Sequence, residues 1–235
     1  MKLLTQLFVS CALSVLTQGV MAQQMSVPVP HNMVQLTASA ASDVQQDLLT
    51  LSMNTTREGP DAAAVQAQLK QALEVALAEA KKAAQPGQME VRTGNFSLYP
   101  RYGRDGKFVS WQGSTELVLE GRDFARISAT AGKIQTLTMG GVVFGLSREQ
   151  RVKVEGEVQG MAIQRFKSKA AEIAKAFGFA AYTLREVSVN ANDQGFPRPL
   201  MMAMDAQVAG AEAAVPVEAG KSSVVVTVSG SVQLK

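Results

Sequence analysis

Two groups of side chains in this 235-residue chain could bind something, and a lone histidine stands apart from both. Met201, Met202 and Met204 stand together, and Met25 and Met33 flank His31, the single histidine. Thioethers are soft donors suited to Cu(I). They also serve as adaptable apolar contacts or as oxidisable surface groups, and apolar contact is the preferred reading. Phe96, Tyr99, Tyr102, Phe108 and Trp111 gather in one short stretch. On a concave surface such rings could stack on a sugar or grip a peptide; in a hairpin they pair across strands. Trp111 fits the apolar alternation of a strand, which leaves Tyr99 and Tyr102 as the rings free for contact. His31 follows two prolines in a segment without periodicity, whereas a general base or metal ligand needs partners fixed within hydrogen-bond reach.

The groups that would carry catalysis do not assemble into a pattern. Glu116 and Glu120 fall on the polar face of a predicted strand, and Glu149, Glu155 and Glu157 near a predicted helix start, where carboxylates are ordinarily solvated. Glu155 and Glu157 do not share a helix face. The sequence has no glycine-rich phosphate loop, serine elbow or metal-ligand pair. Cys11 is the single cysteine, so thiol chemistry, zinc–thiolate sites and disulfides are not expected of the folded domain. No catalytic residue, metal or cofactor is assigned, and the expectation is a protein that is not an enzyme.

Cys11 lies within an export signal. Lys2, an apolar stretch from Leu3 to Val20 and the Val20-Met21-Ala22 site have the three parts of a secretory peptide. Polar residues Thr5, Gln6, Ser10, Ser14, Thr17 and Gln18 interrupt the stretch, against a membrane-spanning helix. Residues 1–22 are therefore read as a signal cleaved after Ala22, residues 23–32 as a flexible leader, and 33–235 as one domain in an oxidising, periplasmic compartment. A composition 46% hydrophobic and 18% charged is that of a globular protein. Removing Lys2 takes the net charge from +3 to +2, too little to imply nucleic acid.

The domain's elements follow from periodicity. Val34, Leu36, Ala38 and Ala40 alternate as in a half-buried strand, and Leu49, Leu51, Met53 and Thr55 repeat the pattern. Asp61 opens a helix with Val65, Leu69, Leu73, Ala76 and Ala80 on one face, stopped by Gln85-Pro86-Gly87. Asp105-Gly106 turns a hairpin over residues 90–121, with Val109, Trp111, Thr115, Leu117 and Leu119 on one face and Ser110, Gln112, Ser114, Glu116 and Glu120 on a wet one. Asp123 starts a short helix with Phe124, Ile127, Ala131 and Ile134 inward. Gly140-Gly141 leads into a strand from Val142 to Leu146. Ser147 with Gln150 forms a capping box for a second long helix, whose buried face runs through Val158, Ala162, Phe166, Ala170, Ile173, Ala174 and Phe177. Strands from Tyr182 to Ala191 and from Ser222 to Leu234 complete the order β-β-α-β-β-α-β-α-β-β. Residues 192–221 have neither period and form a long loop, the expected place of contacts. The fold class is α+β: a mainly antiparallel sheet with two long helices and one short helix packed on one face.

Several segments together resemble the SIMPL domain family. They are SLYPRYG (97–103) running into GRDGKFVSWQGSTELVLEGRD, then TMGGVVFGLS (138–147), RFKSKAAEIAKAFGF (165–179) with YTLREVSV, and VEAGKSSVVVTVSGSVQL at the end. The resemblance spans nearly the whole domain. It implies an exported, periplasmic or outer-membrane-associated protein of undefined activity, with no catalytic residues to carry over. It also implies a homo-oligomer or a protein that binds envelope partners, and the small positive charge adds weak attraction to an anionic membrane surface. The alternative is a periplasmic small-ligand or metal-binding module using the aromatic hairpin or the methionine-rich loop.

Overall fold

The structure is a computed structural model that describes residues 31–192 and 218–235; the segment read as an export signal, most of the segment read as a leader and the Met201, Met202, Met204 cluster lie outside the described residues. Ten elements occur in the expected order: β1 (Met33–Gln45), β2 (Leu48–Gly59), α1 (Ala62–Ala83), β3 (Glu90–Tyr102), β4 (Phe108–Gly121), α2 (Phe124–Lys133), β5 (Thr138–Gly145), α3 (Arg148–Ala176), β6 (Tyr182–Asn192) and β7 (Lys221–Leu234). Every strand pairing among the described residues is antiparallel, so the α+β reading holds. The strands divide between two sheets, ordered β1-β7-β6 and β3-β4-β2-β5.

Each sheet has its own core. In the four-stranded sheet Leu49, Leu51 and Met53 of β2 and Leu117 and Leu119 of β4 are buried with Ala72, Ala76 and Ala80 of α1 and Ile127 and Ala131 of α2. In the three-stranded sheet Leu36 and Ala40 of β1 and Val224, Val226, Val228 and Val232 of β7 meet Val154, Val158, Ala162, Phe166, Ala170 and Ala174 of α3. Burial removes this apolar surface from water, at about 25 cal/mol per Å². The alanines that face the sheets let α1 and α3 lie close to the strands at little entropic cost.

Two residues pass the chain from one sheet to the other. Gln46 N–H donates to the Gly220 carbonyl, and Asp47 N–H to that of Gly145. The Gln46 side chain is buried and satisfied: its amide donates to Ser222 Oγ at 3.0 Å, and its carbonyl accepts from Gly220 N–H at 3.1 Å. An unpaired amide buried there would cost about 1–3 kcal/mol, so this joint is specified by polar contacts.

Four local expectations are corrected. β5 begins at Thr138, so Gly140 and Gly141 lie inside it, opposite a register shift at Ser52/Met53; a Cβ at Gly140 would strike the Asn54 side chain. The second face of β4 is not uniformly wet, since Ser110 and Val118 are buried on it: Val118 is flanked by Ser52 and Arg92 on the two neighbouring strands, and Ser110 is held by the Glu58 carboxylate. Phe177 is exposed rather than inward, because it caps α3 beyond the last turn that packs on the sheet. The capping box is half formed: Ser147 Oγ accepts from Gln150 N–H at 3.3 Å, but Ser147 N–H donates to Asp47 Oδ1 at 2.6 Å. A residue one hundred positions earlier thus takes the place expected for the Gln150 amide. At the hairpin turn Gly106 has φ +75°, as an Asp-Gly turn requires.

Candidate functional site

The hairpin tip brings Tyr102, Phe108 and Trp111 together. β2 pairs with β4 only as far as Gly59 opposite Trp111, so the hairpin continues past the end of its third strand. There Tyr102 and Phe108 are opposite one another with ring centroids 6.4 Å apart, edge to face, and Phe108 lies 5.9 Å from Trp111. Tyr99, Tyr102, Phe108 and Val109 are between 46% and 64% exposed. Tyr102 is thus packed edge to face on Phe108, whereas Tyr99, opposite Gln112, lies on the other face of the hairpin. The turn is held by Gly103 N–H donating to the Lys107 carbonyl at 2.8 Å and Gly106 N–H to that of Gly103 at 3.0 Å.

Charge surrounds these rings. Arg101 Nη1 donates to Glu58 Oε2 at 2.6 Å, and the Ser110 hydroxyl donates to Glu58 Oε1 at 2.5 Å. The Ser110 hydroxyl and then the Arg101 guanidinium hold the Glu58 carboxyl below the ordinary carboxylate range. Lys107 is 3.7 Å from Asp105, and Arg104 is exposed.

A second cluster, which no sequence motif announces, lies where the sheets join. The Ser147 hydroxyl donates to Asp47 Oδ2 at 2.6 Å and accepts from Arg122 Nη2 at 2.6 Å; the same Arg122 nitrogen donates to Glu149 Oε2 at 2.8 Å. A serine donating to a carboxylate resembles an activated nucleophile. Its oxygen, however, already accepts from Arg122 and from the Gln150 amide, so both lone pairs are occupied. A cavity of about 190 Å³ adjoins it, lined by Glu90, Glu120, Arg122, Arg148 and Glu149 among others. The arrangement caps α3 and fastens it to β2 and the β4–α2 turn. Only Ser147 carried a signal in the sequence, as a helix start.

The third location is β6. It stands at one edge of its sheet, with β7 as its only neighbour among the described strands. Its residues opposite buried β7 positions, Leu184 (Val232) and Val189 (Val228), and Val187 opposite Gly230, are between 40% and 51% exposed. α3 covers β1 and β7 and leaves this row open. The other edge is protected: Arg165 and Lys169 of α3 donate to the carbonyls of Ser39 and Thr37 on β1, at 2.8 and 3.0 Å. β6 ends and β7 begins at the limits expected for the long loop, of which residues 193–217 lie outside the described residues.

His31 is exposed just before β1. Among the described residues no group of three or more His, Cys, Asp or Glu side chains could hold a metal ion, and no helix is long and apolar enough to cross a membrane. A family model described as SIMPL, protein of unknown function (DUF541), matches residues 34–232. No curated protein matches the chain.

Proposed function

The chain belongs to the SIMPL family, and from that premise we propose that it is an exported, non-enzymatic protein of the periplasmic cell envelope that works by self-association, with binding of other envelope components as the broader form of that activity. The signal read in residues 1–22 supports export and cleavage after Ala22. The observation that carries assembly is β6. Its outer edge offers backbone donors and acceptors, and Leu184, Val187 and Val189 lie uncovered beside it. An added strand from a second chain would satisfy the edge and bury the row in one step. The protection of the β1 edge by Arg165 and Lys169 directs such pairing to β6.

Light scattering on the exported protein at high micromolar concentration tests this. The expected mass is a multiple of the monomer, and joint Val187→Lys and Val189→Lys substitution is expected to return a folded monomer, since two charges on the row oppose burial. A strict monomer that also recovers no partner from the envelope would overturn it.

A further inference from the structure

We propose that the tip of the β3–β4 hairpin docks on an anionic lipid headgroup surface, a role separate from assembly through β6. Tyr102 and Phe108 form an exposed aromatic pair at a turn closed by two backbone hydrogen bonds, and Val109 is exposed next to Phe108 in the chain. Residues 101–109 carry Arg101, Arg104 and Lys107 against the single acid Asp105. Arg101 is held by Glu58 and Lys107 is only loosely paired, so Arg104 and Lys107 are the cations available to a surface. Their chemistry complements lipid phosphates, while phenol and phenyl rings suit the boundary between headgroup and acyl chain, where one end is wet and the other apolar. A pocket for a neutral sugar would not call for cations around its rings, and an apolar protein partner would not favour them there.

Basic side chains near an anionic leaflet each contribute about 1 kcal/mol, which is about fivefold in partitioning. Loss of two is therefore expected to weaken binding by roughly 25-fold. Trp111, the chain's single tryptophan, lies 5.9 Å from Phe108 and reports on the tip by its fluorescence.

The experiment is flotation of the exported protein with vesicles of phosphatidylcholine alone or mixed with phosphatidylglycerol, at low and high salt, with Trp111 emission followed in parallel. The expected result is flotation with the mixed vesicles only, a blue shift of Trp111, and weakening by salt. Joint Arg104→Ala and Lys107→Ala should reduce flotation about 25-fold, and Phe108→Ala should abolish the shift of Trp111, each with unchanged melting temperature and unchanged mass in solution. Absence of flotation, equal flotation with both vesicles, or variants that float like the parent would overturn the proposal. So would a variant that loses flotation together with its oligomeric mass, which would make the tip a contact between copies.

Discussion

Thr115 and Glu58 show how single side chains set stability in this protein. Thr115 is almost fully buried, opposite Thr55, and its hydroxyl has no hydrogen-bond partner. A buried hydroxyl without a partner costs about 1–3 kcal/mol, and an apolar isostere removes the cost. Thr115→Val is expected to stabilise the fold by about 1 kcal/mol, seen as a rise of about 2–4 °C in thermal melting. Glu58 acts in the opposite sense. Its carboxyl is held below its ordinary range in the fold by Ser110 and Arg101. Such a group contributes stability that is complete above its unfolded pKa, about 4.3, and is lost as pH falls through its lowered folded value. Asp123, lowered by the Arg126 backbone N–H and then its side chain, follows the same sign. Glu58→Gln should therefore flatten the acid side of the stability profile, measured by urea midpoints between neutral pH and about pH 3, and leave the slope above about pH 5 unchanged.

The elements were legible to different depths. The burial of Leu49, Leu51 and Met53, and of Val224, Val226 and Val228, follows from period-two alternation, and the inward stripes of α1 and α2 follow from helical period. Alternation says which face of a strand is inward but not which strand stands beside it, so one sheet was expected where two occur. For the same reason the place of β6 at an open edge was not readable. The cluster at the sheet junction was hidden for a topological reason: Asp47, Arg122 and Ser147 are far apart in the chain and meet only because the β1–β2 connection, the β4–α2 turn and the α3 start converge. Asp47 thus completes a cap that sequence would assign to Gln150. Asp47→Ala removes two hydrogen bonds to Ser147, and is expected to cost about 2 kcal/mol. Only the hydroxyl's share of that loss should be absent when Ser147→Ala is already present, since the residue 147 N–H still donates to Asp47, and a double-mutant cycle on denaturant midpoints checks this partial coupling.

At the scale of the whole molecule, the cores are linked through the Gln46–Asp47 joint and differ in how soon they can form. The four-stranded sheet needs only residues 48–145, from β2 to β5. The three-stranded sheet pairs Met33 with Gln233 and Gln45 with Lys221, so its first strand finds its partner at the far end of the chain. A chain ended before residue 221 should keep the environment of Trp111, at the hairpin in the earlier sheet, while amides of β1 exchange freely with deuterium. The full chain should protect both, and equal protection of β1 in the two would contradict this order. Closure between such distant strands is slow. Until β7 has been synthesised, Leu36, Ala40 and the valine-binding face of α3 have no complete sheet to enter, so the half of the molecule that holds the first and last strands forms last. For the export proposed above, a first strand that waits for its last keeps both ends of the domain unpaired until the whole chain is available.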